Sequence, residues 1–145
     1  DMNCEKTLVF HEGLSFCGSG GGSKFTGKTP NERTEEELND DFNVILSEKL
    51  DNLILISHNP PKNTKCDAVN ADLHAGSELF SKLISEYQPL LVLCGHIHEG
   101  CGIDKIGETV IVNPGSLGEK GSYAVATVEK KDGKWSVVNT ELKNV

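Results

Sequence analysis

The histidines that could carry chemistry follow two apolar segments of the chain. His58 comes directly after the aliphatic run 53–56, and His96 and His98 come after the apolar run 90–94. Neutral imidazole is a common ligand for transition metals. Open α/β folds bind ligands where buried strands give way to loops. Three imidazoles on two such strand ends therefore predict a metal centre.

The spacing of these histidines indicates two adjacent metals. His96 and His98 are two residues apart, so at a strand exit their side chains can diverge towards neighbouring ions. Two-metal sites clamp phosphoryl oxygens and suit phosphoester hydrolysis. Two alternatives remain: ordinary loop histidines, or a structural zinc site that adds Cys94 and Cys101. The spacing fits no common zinc finger, and Cys94 lies inside an apolar run.

The surrounding pattern predicts a layered α/β domain. Residues 53–56 and 90–94 are continuous aliphatic runs, which are typical of strands covered on both faces. A capping box at Thr34 opens a predicted helix that extends to Leu50, and a second helix is predicted over 77–87. A hairpin is predicted at the start of the chain. Two further strands are predicted to form an antiparallel hairpin through a turn at 132–133.

At several motifs the chain resembles the calcineurin-like metallophosphoesterase superfamily, and in particular its small phosphodiesterase-like branch. The resemblance covers about residues 53–128. It rests on Ser57-His58-Asn59-Pro60-Pro61, His74-Ala75-Gly76-Ser77, Gly95-His96-Ile97-His98 and Asn113-Pro114-Gly115-Ser116.

This resemblance implies a fold and a function. The fold would be a layered metallophosphoesterase-like sandwich, here partial, with a mixed sheet, antiparallel C-terminal strands and a single domain over 1–145. The cofactors would be two divalent metal ions, from among manganese, iron, zinc and nickel, and the substrate would be a phosphoester. By position, His58 and His96 would bind one metal and His98 the other. The substrate pocket would include His74, Asn59 and Asn113.

The chain also departs from the family pattern upstream of His58. The Asp-x-His, Gly-Asp-x-x-Asp and Gly-Asn-His motifs of the family, which supply its bridging carboxylate and further ligands, do not occur there. The resemblance therefore implies the C-terminal portion of a metallophosphoesterase, inactive alone, with an exposed sheet edge open to self-association. The alternative is a degenerate, non-catalytic member that acts as a scaffold or binding module, as the retromer scaffold subunit does.

Composition excludes some classes of function. The 145 residues carry 22 acidic and 14 basic side chains, for a net charge of −8, which argues against broad nucleic-acid binding. No apolar stretch approaches the roughly 20 residues that cross a bilayer. The five cysteines are odd in number and form no Cys-x-x-Cys pair. We therefore expect a reduced, cytoplasmic protein without a membrane partner.

A glycine-rich segment, 22–29, matches the phosphate-loop pattern G-x-x-x-x-G-K-T. That loop requires a helix that begins at its lysine, so that backbone N–H groups surround a phosphate. Here Pro30 follows at once, and the capping box places the helix start at Thr34. A surface loop is therefore favoured over a P-loop nucleotide binder.

Overall fold

The computed structural model describes residues 3–24 and 30–145. Its strands are β1 (Val9–His11), β2 (Leu14–Ser19), β3 (Gly22–Ser23), β4 (Glu32–Arg33), β5 (Leu53–Ser57), β6 (Leu91–Leu93), β7 (Gly102–Ile106), β8 (Thr109–Asn113), β9 (Ser122–Lys131) and β10 (Lys134–Asn144). Its α-helices are α1 (Glu35–Asp40), α2 (Glu78–Tyr87) and α3 (Leu117–Lys120). Short 3₁₀ turns cover Asn43–Ile45, Lys65–Asp67 and His98–Gly100.

A six-stranded mixed sheet forms the centre of the fold. Its strand order is β1-β2-β5-β6-β8-β7. The four inner strands are parallel, while β1 and β7 pair antiparallel at the two edges. The predicted α/β class with a mixed sheet is confirmed. Because the inner strands are parallel, their carboxyl ends meet at one edge, and the loops after them form one continuous surface.

Both faces of this sheet are covered, as the aliphatic strands predict. On one face, α2 and the 3₁₀ turn Asn43–Ile45 pack on the sheet, and Phe42 stacks on Phe80 with ring centroids 5.1 Å apart. On the other face, the β9–β10 hairpin covers Ile54 and Val110. Its turn is tight because Asp132 and Gly133 both adopt positive φ, at 51° and 81°.

The first helix is shorter than its apolar spacing predicts. The prediction of a helix through Leu50 is wrong, because α1 ends at Asp40. Asp41 is buried and accepts hydrogen bonds from Ser19 and Arg33, which fixes the chain at this point. A 3₁₀ turn then buries Ile45 without continuing the helix. Long-range contacts of one carboxylate thus override the local pattern.

Two further differences concern short or polar strands. Gly22–Ser23 pairs in parallel with Glu32–Arg33, where the sequence indicates only a loop. Strand β7 is not predicted, because its sequence is mostly polar and it pairs only as an edge strand. Residues 25–29 of the phosphate-loop pattern lie outside the described residues. Within 3–24 and 30–145, no helix has the length and apolar character needed to cross a membrane.

Gly76, just before α2, allows two loops to approach closely. A Cβ there would lie 2.7 Å from the Pro60 carbonyl oxygen and 2.8 Å from Asp67 Cβ. We therefore expect Gly76→Ala to lower the free energy of unfolding by about 2 kcal/mol or more, as measured by urea denaturation. The matched control is Gly118→Ala, where a Cβ meets nothing within 4 Å. Equal denaturation midpoints for the two variants would contradict this account.

Candidate metal centre

His58 and His96 lie side by side at the carboxyl edge of the sheet. Strand β5 ends one residue before His58, and β6 ends three residues before His96. The two strands are parallel neighbours. Nε2 of His58 lies 3.0 Å from Nδ1 of His96, and the ring centroids are 4.8 Å apart in an edge-on arrangement. The sheet therefore brings together two of the three histidines that the sequence singles out.

The backbone around His96 holds its ring in this place. His96 itself has a φ of 65°, which directs the chain sharply away from β6. The N–H of Gly95 donates to the carbonyl oxygen of His58 at 3.2 Å, which ties the two loops together. Gly22 makes room for the ring, because a Cβ there would lie 3.1 Å from His96 Cε1.

Both imidazoles are in an environment that favours the neutral form. Burial is the main cause that lowers the pKa of His58, and repulsion from His96 and His98 adds to it. Burial also lowers the pKa of His96, helped by His98 and opposed by Glu32. A neutral imidazole has a free nitrogen lone pair, which is the form that binds a metal.

These lowered pKa values predict that acid destabilises the chain. The unfolded chain binds more protons than the folded chain between the folded pKa and about 6.5. The free energy of unfolding should therefore fall as the pH decreases through about 6.5, the ordinary histidine pKa. Urea denaturation with a chelator present, at several pH values, measures this fall. His58→Gln with His96→Gln should have a shallower fall, and an unchanged slope would contradict the assignment.

The separation of the two nitrogens fits two ligands of one ion. Metal–nitrogen bonds are about 2.0–2.1 Å long, so nitrogens 3.0 Å apart would subtend about 90° at a shared ion. Among residues 3–24 and 30–145, no three His, Cys, Asp or Glu side chains form a group that could hold a metal. The described residues thus fit part of a metal shell.

His98 points to a different partner. Its Nδ1 lies 3.0 Å from Oε2 of Glu119, in α3, and both side chains are substantially exposed. A carboxylate on one ring nitrogen commonly orients a histidine so that its other nitrogen can bind a metal. The geometry therefore leaves Nε2 of His98 as its candidate ligand atom.

The thiols near these histidines have other partners. Cys94 donates to the carbonyl oxygen of Val112 at 3.4 Å, and Cys101 donates to that of Pro114 at 3.3 Å. All five cysteines are free. These contacts give no support to a structural zinc site built from Cys94, Cys101 and the histidines.

The two asparagines that were predicted to line the substrate pocket form hydrogen bonds to neighbouring residues of the chain. Asn113 is fully buried and donates to the carbonyl oxygens of Cys66 at 2.9 Å and Ile97 at 2.7 Å. Asn59, which is also buried, hydrogen-bonds to the backbone N–H and the hydroxyl of Ser23. Both residues fasten the loops around the histidines, and their contact with a substrate stays a prediction.

His74, the third predicted pocket residue, belongs to a pair that sequence reasoning missed. Its Nδ1 lies 2.7 Å from Oδ1 of Asp67, whose side chain is 0% exposed. A signal for Asp67 exists in the sequence, since Thr64-x-x-Asp67 is a capping-box pattern, and the structure forms that box. Asp72-Leu73-His74 also matches Asp-x-His, but it lies downstream of His58, out of the family's order.

Among residues 3–24 and 30–145, clefts open around the His58–His96 pair. One of about 500 Å³ lies beside His58 and Gly95, and a smaller one of about 210 Å³ lies between the pair and Glu32. A third, of about 490 Å³, is lined by His96 and His74. The imidazoles therefore border spaces large enough for a small ligand.

A family model described as "Metallophosphoesterase, calcineurin superfamily" matches residues 6–138. The chain belongs to this family. It is 42% identical over 118 residues to the uncharacterized protein MJ1162 of Methanocaldococcus jannaschii, covering 78% of this chain and 53% of that protein.

Solved structures share the fold of this chain. The crystal structure of TT1561 of Thermus thermophilus matches with a TM-score of 0.63 at 21% identity, over 98% of this chain and 58% of that one. Another crystal structure matches with a TM-score of 0.69 at 19% identity, over 97% and 52%. The chain spans about half the length of these relatives.

Proposed function

We propose that this metallophosphoesterase-family chain contributes part of a two-metal centre that hydrolyses phosphoesters. The observation that carries the proposal is the 3.0 Å separation of His58 Nε2 and His96 Nδ1 at the carboxyl edge of a parallel sheet. In this proposal His58 and His96 hold one divalent ion and His98 holds the other. Manganese, iron, zinc and nickel all suit such ligands.

Each histidine has a defined task in this centre. A bound pair of divalent ions supplies charge stabilisation to phosphoryl oxygens and lowers the pKa of water. His58 and His96 supply neutral nitrogens, which their burial maintains. Glu119 orients His98 through its Nδ1. These histidines act as ligands and transfer no proton in the reaction, whereas His74 and Asn59 lie beside the centre as candidate substrate contacts.

The 145-residue chain alone is expected to have little or no phosphoesterase activity. No carboxylate joins the His58–His96 pair to form a three-ligand group among the described residues. Two cations without a bridging anion repel each other. The purified chain with manganese should therefore hydrolyse bis(4-nitrophenyl) phosphate no faster than its His96→Ala variant. Rapid hydrolysis that the variant lacks would overturn this expectation.

A non-catalytic scaffold is the second candidate. The incomplete donor set among the described residues favours it. Zinc titration separates the two candidates, because the hydrolase proposal requires ion binding that depends on His58 and His96. A scaffold with these residues in purely structural roles requires none.

We also propose a reduced compartment, the cytoplasm, and self-association through a sheet edge. The free state of all five cysteines supports the first. The edge position of β1, where Phe10 is 66% exposed, supports the second, because unpaired strand edges attract further strands. Sedimentation over a range of concentrations would reveal such association.

A further inference from the structure

The cleft between His74 and His96 is lined by both apolar and polar residues. Its volume is about 490 Å³. The apolar lining residues are Val69, Leu73, Ala75 and Ile97. The polar lining residues include His74, His96 and Lys24. Ligand sites commonly combine an apolar surface with a few placed polar groups, and this cleft has that character beside a candidate metal ligand.

The buried carboxylate of Asp67 fixes His74 in this cleft. Besides His74, it accepts hydrogen bonds from the backbone N–H groups of Thr64 at 2.8 Å, Gly76 at 3.0 Å and Asn63 at 3.2 Å. An ionised carboxylate only accepts, so Nδ1 of His74 must donate the proton between them. Nε2 is then the nitrogen that remains for a ligand in the cleft.

The charges around the cleft suit an anion. Lys24 is a potential donor to a phosphate oxygen, and Nε2 of His74 can accept from a phosphate hydroxyl. Glu35 also lines the cleft, but its carboxylate oxygens accept the N–H groups of Glu78 and Leu79, each at 3.3 Å. That carboxylate is therefore held at the start of α2, where the helix dipole favours negative charge.

We propose that this cleft binds a phosphoester with an apolar, aryl-type organic group. The organic group packs on Leu73 and Ile97, and Nε2 of His74 accepts a hydrogen bond from the P–OH group of the monoanionic ester. The position of the phosphate beside His96 rests on the proposed function. The packing of the organic group on the apolar residues is independent of the proposed function, because no metal takes part in that packing.

The test measures binding of phenyl phosphate, methyl phosphate and inorganic phosphate to the ¹⁵N-labelled 145-residue chain by NMR, with a chelator present. Burial of the ring should make phenyl phosphate bind about tenfold more tightly than methyl phosphate. The largest amide shifts should fall at Leu73, His74 and Ile97. Equal affinity for the two esters, or shifts confined to other parts of the chain, would overturn the proposal.

Two variants and a control examine the apolar and the polar lining residues separately. Leu73 is 50% exposed, so Leu73→Ser should leave the fold intact and reduce the preference for the phenyl ester. His74→Gln should weaken binding of both esters about tenfold and keep the preference. His11→Gln, at an exposed histidine of β1, should change neither the affinity for the esters nor the preference for the phenyl ester. A preference for the phenyl ester that survives Leu73→Ser would contradict the proposed packing of the organic group on Leu73.

A parallel zinc titration separates this proposal from the proposed function. If the chain binds no zinc but still prefers phenyl phosphate, the proposed metal centre is overturned and the proposed ester site in the cleft is supported. Zinc binding at His58 and His96 with no phenyl preference would overturn the cleft alone.

Discussion

Replacing Asp67 with asparagine is expected to lower the free energy of unfolding by about 3–5 kcal/mol. The Asp67 side chain is fully buried and accepts backbone hydrogen bonds from Thr64 and Gly76 as well as the bond from His74. In the variant, an amide NH₂ group replaces one acceptor oxygen and faces some of these N–H donors. Those N–H groups are then buried without an acceptor, and their lost hydration destabilises the folded state.

Urea denaturation of the two proteins at neutral pH measures this effect. Asp72→Asn is the matched control, because it makes the same chemical change five residues away at an exposed side chain. The control should change the free energy of unfolding by less than about 0.5 kcal/mol. Similar midpoints for both variants would show that Asp67 does not organise the loop before α2.

Replacing His96 with alanine is expected to weaken zinc binding by about 100-fold or more. The reason is geometric, since His58 Nε2 and His96 Nδ1 lie 3.0 Å apart and can reach the same ion. Either single variant removes half of the pair, so the double variant should bind zinc little more weakly than each single one. Isothermal titration calorimetry of the chain measures the affinities.

The chain offers a control for this prediction. His11 is an exposed histidine in β1, so His11→Ala removes an imidazole without touching the pair. Its zinc affinity should equal that of the unmodified chain. If His96→Ala also retained that affinity, zinc would be bound elsewhere and the proposed centre would be wrong.

The histidine pair could be predicted because local sequence controls it. Two aliphatic runs specify buried strands, and parallel neighbouring strands must end at the same edge. His58 and His96 stand just after those ends, so their proximity follows from strand position alone. The hairpin at Asp132 and Gly133 is a similar case, because the turn residues themselves set its geometry.

Other features depend on contacts that are distant in sequence. The end of α1 is set by Asp41, which bonds to Ser19 and Arg33. The pairing of His74 with Asp67 requires the chain to turn back on itself between them, and no periodic pattern encodes that turn. Strand β7 forms because its backbone pairs with the edge of β8, whereas its own polar sequence does not favour a strand.

The central claim is that His58 and His96 bind one metal ion through Nε2 and Nδ1, respectively. The most direct test is long-range ¹H–¹⁵N NMR of the imidazole nitrogens as zinc is added to the chain. Zinc should shift the resonances of His58 Nε2 and His96 Nδ1 together, with one binding curve. Shifts at other ring nitrogens, or none in either histidine, would contradict it.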